Sequence, residues 1–432
     1  MKICVLGLWH LGIVTAACLA SVGHKVIGLD FQIETIENLQ KGIPPIFEPG
    51  LENLLSQGLT KGNLHFTANI YEATKQSDIV WVTYDTPVDE DDRADVEFVL
   101  KNIIKVFPFL EKATTILISS QLPVGTTRKL EENYKTNFPD KPISFSYSPE
   151  NLRLGKAINV FTNPDRIIVG VRSQADKEKL TSLLAPFTEN IVWMSVESAE
   201  MTKHALNAFL ATSVTFINEI ATICEKVGAD AKEVELGLKS ESRIGPKAYL
   251  APGNAFAGGT LARDIAFLRE LGLQCNSPTH LLSAILTSND RHKQWAQHKL
   301  QDLFGDLREQ TIAIWGLTYK PGTDTLRRSS AIELCKWLVL QGAKVQAHDP
   351  AIKILPPEFA SRILLCPTPD SALAGAVALV ITTEWPDYLK LPPDILLTKM
   401  RLSNVIDINR FLVSTLGSDA RIRYITVGKP LI

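Results

Sequence analysis

The polarity pattern of this chain is one of short apolar runs separated by amphipathic stretches. Residues 2–6 form an apolar run that reads as a strand, and residues 7–12 a glycine-bounded turn. Residues 13–22, apolar with small side chains, read as a helix, and residues 25–30 as a second strand ending in a carboxylate. This is a βαβ unit. Further strands are expected at 79–83, 115–118 and 166–170, with helical patterns between them. Such alternation predicts a parallel, doubly wound sheet.

From about residue 198 to residue 236 apolar positions recur three or four apart with no strand signal. The spacing predicts a long helix that bridges two domains and offers a dimer surface. A second βαβ unit starts at 311–316, continues through a helix over 332–340 and returns in a strand at 344–347, closed by Asp349-Pro350. The expected fold class is α/β, with two Rossmann-like doubly wound parallel-sheet domains joined by a long central helix. Domain boundaries are expected at 1–195, 196–300 and 301–432.

Composition narrows the class without naming a chemistry. The chain has 432 residues, enough for two or three domains with real cores. With 21% charged residues, 45% apolar residues and a net charge of −2, it reads as an ordinary soluble protein. No block of like charge suggests a nucleic-acid arm. The N-terminal apolar run is too short for a signal peptide. No stretch approaches the roughly 20 apolar residues that span a bilayer, so no membrane partner is expected. The six cysteines are scattered without metal-ligand spacing, which predicts buried free thiols, a cytoplasmic protein and no metal site.

Candidate chemistry begins at Gly7-Leu8-Trp9-His10-Leu11-Gly12, placed between a strand and a helix where a dinucleotide fingerprint belongs. The helix N-terminus offers N–H groups and partial positive charge to a pyrophosphate. Asp30, ending the second strand, suits the adenosine ribose hydroxyls and repels a 2′-phosphate, which favours NAD over NADP. Trp9 stands where the second glycine of the fingerprint lets backbone approach phosphate, so the pyrophosphate contact is altered. Read alone, the motif fits a structural glycine turn equally well.

The segment from Arg243-Ile244-Gly245 through Gly258-Gly259-Thr260-Leu261-Ala262-Arg263-Asp264 to Leu268 resembles the UDP-glucose/GDP-mannose dehydrogenase family. So do Val14-Thr15-Ala16-Ala17-Cys18-Leu19-Ala20, Thr86-Pro87-Val88-Asp89, Gly316-Leu317-Thr318-Tyr319-Lys320-Pro321-Gly322-Thr323-Asp324, Thr383-Glu384-Trp385 and the closing strand around 405–410. The resemblance covers nearly the whole chain. It implies a homodimeric NAD-dependent oxidoreductase acting on a nucleotide sugar, a UDP-hexose such as UDP-glucose first, in polysaccharide precursor synthesis. By the same resemblance the three domains bind NAD, form the active site and dimer, and bind the sugar nucleotide. Gly7, Trp9, His10, Leu11, Gly12, Asp30, Thr86 and Arg327 would meet the cofactor, and Arg243, Gly258 and Lys320 the substrate. Arg243 would reach the site of a neighbouring subunit.

Four residues are carried to the reaction centre by the same route: Glu150 in Ser148-Pro149-Glu150-Asn151-Leu152-Arg153, Lys203 and Asn207 on one helix face, and Asp264. A carboxylate takes a hydroxyl proton, Lys203 stabilises the alkoxide, Asn207 orients and Asp264 holds the charge of the lysine. Without the family, Lys203 is a solvated helix face and Asp264 a helix N-cap. The chain departs from the family at its catalytic loop, normally G-G-x-C-x-x-K-D. Here the loop is one residue shorter, Arg263 replaces lysine, and the cysteine that carries the second half of a four-electron oxidation is gone. Gln121 also stands where the family has threonine. Thr260 and Leu261 offer no activated nucleophile. A catalytically silent nucleotide-sugar or NAD-binding scaffold is therefore the alternative to an enzyme.

Overall fold

The computed structural model describes residues 1–89, 94–111, 113–141, 143–150, 152–257 and 259–430. The chain divides into two compact units, Met1–Leu206 and Asn207–Ile432. The first carries an eight-stranded sheet of β1 (Lys2–Leu6), β2 (Lys25–Leu29), β3 (Leu64–Thr67), β4 (Ile79–Val82), β5 (Thr115–Ile118), β6 (Ser144–Tyr147), β7 (Ile167–Gly170) and β8 (Ile191–Met194). Their order is β3-β2-β1-β4-β5-β6-β7-β8. All neighbours run parallel except β6 and β7, which pair antiparallel at Tyr147 and Gly170. The second unit carries six parallel strands, β9 (Thr311–Trp315), β10 (Lys344–His348), β11 (Ile363–Leu365), β12 (Ala378–Ile381), β13 (Asn404–Asp407) and β14 (Arg423–Ile425), in the order β11-β10-β9-β12-β13-β14.

Both faces of each sheet are covered, which is why the central strands are continuously apolar rather than alternating. In β1, Ile3 and Val5 join one core while Cys4 and Leu6 join the core on the opposite face. In β9, Ile312 and Ile314 face one core and Ala313 and Trp315 the other. Strands β3, β6, β8, β11, β12 and β14 are not evident in the polarity pattern. The first helix, expected at 13–22, begins three residues earlier, at His10–Ser21, with Trp9 as an N-cap lacking any side-chain cap bond.

The two units repeat one hydrogen-bond scheme at the end of their first strand. Gly7 N–H donates to Leu29 O, and Gly316 N–H to His348 O. Leu8 N–H donates to Asp30 Oδ2 at 2.8 Å, and Leu317 N–H to Asp349 Oδ2 at 2.7 Å. Thr83 and Thr382 hydroxyls each donate to the carbonyl of the turn glycine. Both glycines have positive φ, +93° and +94°. A Cβ at Gly7 would lie 2.7 Å from the Tyr84 ring, and one at Gly316 would collide with Thr383 Cβ, so neither position admits a side chain.

A helix of 32 residues, Val196–Val227, contains the boundary between the units. It is long and apolar enough by composition to cross a bilayer, which corrects the expectation that no stretch reaches that limit. Half of its most apolar window is buried within the protein. The buried side chains include Glu200, Lys203, His204, Asn207 and Asn218. Five of the six cysteines are buried free thiols, and Cys275 is exposed.

Candidate active site

The turn after β1 is shaped for a dinucleotide. A Cβ on Gly12 would collide with Gly7 O, so the first helix must begin directly against the turn. Its first N–H groups have no side-chain cap at Trp9 and remain available to an anion. Trp9 is 52% exposed, which turns the indole outward. Leu11 and Gly12 are buried. Asp30 accepts from Leu8 N–H and from Gln32 N–H at 3.0 Å, one bond per oxygen, leaving lone pairs for ribose hydroxyls. His10 does not face open space: its Nε2 lies 3.1 Å from Glu48 Oε2. Buried Thr86 donates to Gln121 O at 2.7 Å, tying the loops after β4 and β5 together. These features fit an NAD molecule.

Lys203 is the central finding of the first unit. It is only 7% exposed, so it is no solvated face of an amphipathic helix. Its ammonium donates to Glu150 O at 2.6 Å and lies 3.9 Å from Glu150 Oε1. Glu150 is held in turn by Leu152 N–H, which donates to Oε2 at 2.8 Å. Asn151 lies outside the described residues. One turn before Lys203, fully buried Glu200 accepts from Gly125 N–H at 2.6 Å and from both the N–H and hydroxyl of Thr127. His204 Nε2 donates to Leu122 O at 2.9 Å. The helix is therefore fixed in rotation where Lys203 leaves it.

In the second unit, Asn207 donates its amide to the fully buried carboxylate of Asp264. Asp264 is thus not an N-cap. The helix Thr260–Gln274 is capped by Gly259, with φ +89°, and Asp264 sits a full turn inside it. Thr260 is exposed and Leu261 half-buried, neither presenting an activated nucleophile. Cys275 caps the far end of that helix, about 22 Å along its axis from Thr260 at 1.5 Å per residue, so it cannot replace a loop thiol. Gly258 lies outside the described residues. Arg243, in the turn after the helix Ala231–Ser240, has an exposed side chain paired with Glu241 at 3.1 Å.

The segment before Gly259 is pinned by three side-chain amides, Asn218 and Asn289 buried and Asn409 half-buried, none of which motif reading assigned to the site. Gly253 N–H donates to Asn218 Oδ1, Asn254 N–H to Asn409 Oδ1 and Phe256 N–H to Asn289 Oδ1, at 3.0, 2.7 and 3.0 Å. His292 Nε2 donates to Gly253 O at 2.8 Å, and burial lowers its pKa below the ordinary imidazole value. The available signal was Asn218, an amide inside an otherwise apolar helical pattern. Beside this segment opens a cleft of about 280 Å³ lined by Phe256, Lys293, Tyr319, Lys320 and Arg328. Lys320 and Arg327 are exposed in the loop after β9, and Arg328 takes an unusual φ of +60°. Aromatic rings and cations around one cleft suit a base and a diphosphate.

Comparison with known proteins gives the same picture. Residues 1–188 match the NAD binding domain of the UDP-glucose/GDP-mannose dehydrogenase family, residues 197–291 its central domain, and residues 313–414 its UDP binding domain. The chain is 34% identical over 410 residues to a UDP-glucose 6-dehydrogenase of Pseudomonas aeruginosa, covering 90% of each. It is 33% identical over 437 residues to one of Rhizobium meliloti, covering both completely. Among solved structures, a UDP-glucose dehydrogenase from the hyperthermophilic archaeon Pyrobaculum islandicum superposes with a TM-score of 0.83 at 28% identity, covering 94% of this chain and 93% of that one.

Proposed function

The chain belongs to the UDP-glucose/GDP-mannose dehydrogenase family, and from that premise we propose that it oxidises the primary alcohol of a UDP-hexose, UDP-glucose first, in the cytosol. The observation that carries this reading is the buried Lys203 ammonium held 2.6 Å from Glu150 O, with the Glu150 carboxylate beside it. A charge is not desolvated on a helix face without return, and an alkoxide is the anion it is placed to stabilise. NAD, when bound, supplies the hydride acceptor. Glu150 takes the hydroxyl proton directly or through water. Asn207, oriented by Asp264, fixes the oxygen. One oxidation thus yields the aldehyde, NADH and a proton.

The second oxidation has no thiol to create a tetrahedral carbon. Either the protein stops at the aldehyde, or water adds to give a gem-diol that loses the second hydride. NADH formed per sugar consumed, with purified protein, NAD and a panel of UDP-, GDP- and dTDP-sugars, separates the two: one NADH marks the aldehyde and two the acid. The loop without a nucleophile also favours a second reading, a nucleotide-sugar-binding scaffold. Silence across the panel with binding confirmed would establish that reading in place of the enzyme.

Dimerisation is part of the proposal. Phe209, Phe216, Ile223 and Val227 are exposed along the central helix at 70%, 47%, 56% and 69%. Their spacing of seven, seven and four forms one apolar stripe suited to a second copy. Sedimentation should give a dimer for the wild type and a monomer for Phe216→Glu; an unchanged dimer would place the interface elsewhere.

A further inference from the structure

Glu48 takes no part in the scheme above, yet it is among the most buried carboxylates of the first unit, with a side chain only 1% exposed. It accepts from three donors on two distant loops. Oε2 receives His10 Nε2 at 3.1 Å and Gly155 N–H at 2.8 Å, and Oε1 receives Ala157 N–H at 2.8 Å. His10 opens the first helix, directly after the dinucleotide turn. Gly155 and Ala157 close the loop that begins at Glu150. Both loops follow strands of the parallel part of the sheet, β1 and β6, at the carboxyl edge where ligands of such sheets bind.

The segment that presents Glu48 is stiff. Pro44, Pro45 and Pro49 restrict its backbone, and Gly50 turns it at φ +85° into the helix Leu51–Lys61. Burying a carboxylate in such a place is costly, and apolar packing would join the loops at least as well. What apolar packing cannot supply is a fixed geometry between a side chain of the cofactor turn and the backbone of the sugar loop. We infer that Glu48 is a positioning residue that couples the two, so that NADH bound at the glycine turn orders the Glu150 loop and tightens nucleotide-sugar binding. The inference rests on the oxidoreductase reading for the identity of the two ligands, but its test does not require turnover.

The experiment is calorimetric titration of UDP-glucose into the full-length protein with and without saturating NADH. In the wild type NADH should lower the UDP-glucose Kd by about tenfold, within the usual span of coupling between sites. In His10→Phe, which fills the ring volume without its nitrogen, and in Glu48→Gln, which has one acceptor oxygen where the carboxylate has two, the ratio should fall to about one. His10→Gln, whose amide can donate to Glu48, should restore it. In a turning-over enzyme the same variants should raise both KM values more than they lower kcat. If Glu48→Gln does not fold, His10→Phe, changing a side chain at the edge of the network, decides. A tenfold ratio that survives in folded His10→Phe would overturn the inference and leave Glu48 a structural brace, and a wild-type ratio of one would do the same. A ratio that behaves as expected in a protein producing no NADH would uphold the coupling and defeat the oxidoreductase reading alone.

Discussion

Replacing Lys203 by methionine tests the proposed chemistry most directly. Methionine keeps most of the aliphatic stem in its buried slot and removes the charge and the donor to Glu150 O. The structural cost is a half-buried carbonyl left without this partner, at most about 1–3 kcal/mol. Each kcal/mol lowers the melting midpoint of a unit of about 200 residues by about 2–4 °C. The protein should therefore fold, with a midpoint lower by several degrees. The catalytic cost is separate. Loss of one preorganised donor to a developing oxyanion in a site shielded from water removes about 2.7–4 kcal/mol of transition-state stabilisation, or 10²- to 10³-fold in kcat. Because the interaction strengthens only as the hydroxyl ionises, the UDP-glucose Kd should change by less than about threefold. The assay is steady-state NADH production alongside calorimetric binding and a melting scan. A folded Lys203→Met protein with kcat within threefold of wild type would refute the alkoxide role, whatever the effect on stability.

Three further outcomes follow from the geometry. Asp30→Asn loses the charge that repels a 2′-phosphate and one of two acceptors holding Leu8 and Gln32 N–H, so the KM for NAD should rise about tenfold while discrimination against NADP shrinks; unchanged discrimination in the two KM values would contradict the placement of the ribose. Leu261→Cys returns a thiol to the loop, and where the wild type stops at one NADH per UDP-glucose the variant should reach two; a variant still at one would show that the shortened loop itself, beyond the missing thiol, prevents the second oxidation. Burial holds His24, His292 and His348 below the ordinary imidazole range, so the unfolded chain binds protons more readily than the folded one. Their contribution to stability is then complete above about pH 6.5 and lost as pH falls below it. Melting at pH 5.5 should precede melting at pH 7.5, and His292→Gln, which can still donate to Gly253 O, should narrow that gap; an identical gap would remove His292 from the account.

Much of this protein is determined locally. The strand at 2–6 is apolar on every residue after Lys2, so it must be covered on both faces, and only a sheet between two helical layers does that. Gly7 and Asp30 signal the dinucleotide turn because a positive φ and a strand-end carboxylate are demands on residue type that a short stretch of chain reveals. Strands β3, β8, β11 and β14 escape because each includes exposed or half-buried positions over too few residues to show a period, whereas the equally short β4 and β5 are buried throughout. The proposed reaction centre is a matter of convergence. Lys203 and Asn207 share a face of any helix, solvated or buried, and only packing decides that Lys203 is nearly dry and held against Glu150, 53 positions earlier. Asp264 is a plausible cap until the helix start at Thr260 places it inside, bonded to Asn207. Glu48 gives no local signal, because its partners Gly155 and Ala157 lie 107 and 109 residues away. Sequence determines which residues can bear charge, turn sharply or fill a core, since those are properties of single side chains and short periods. Only the tertiary structure decides which charges lose their water and which donors they meet, because desolvation and hydrogen-bond geometry depend on what the rest of the chain brings alongside.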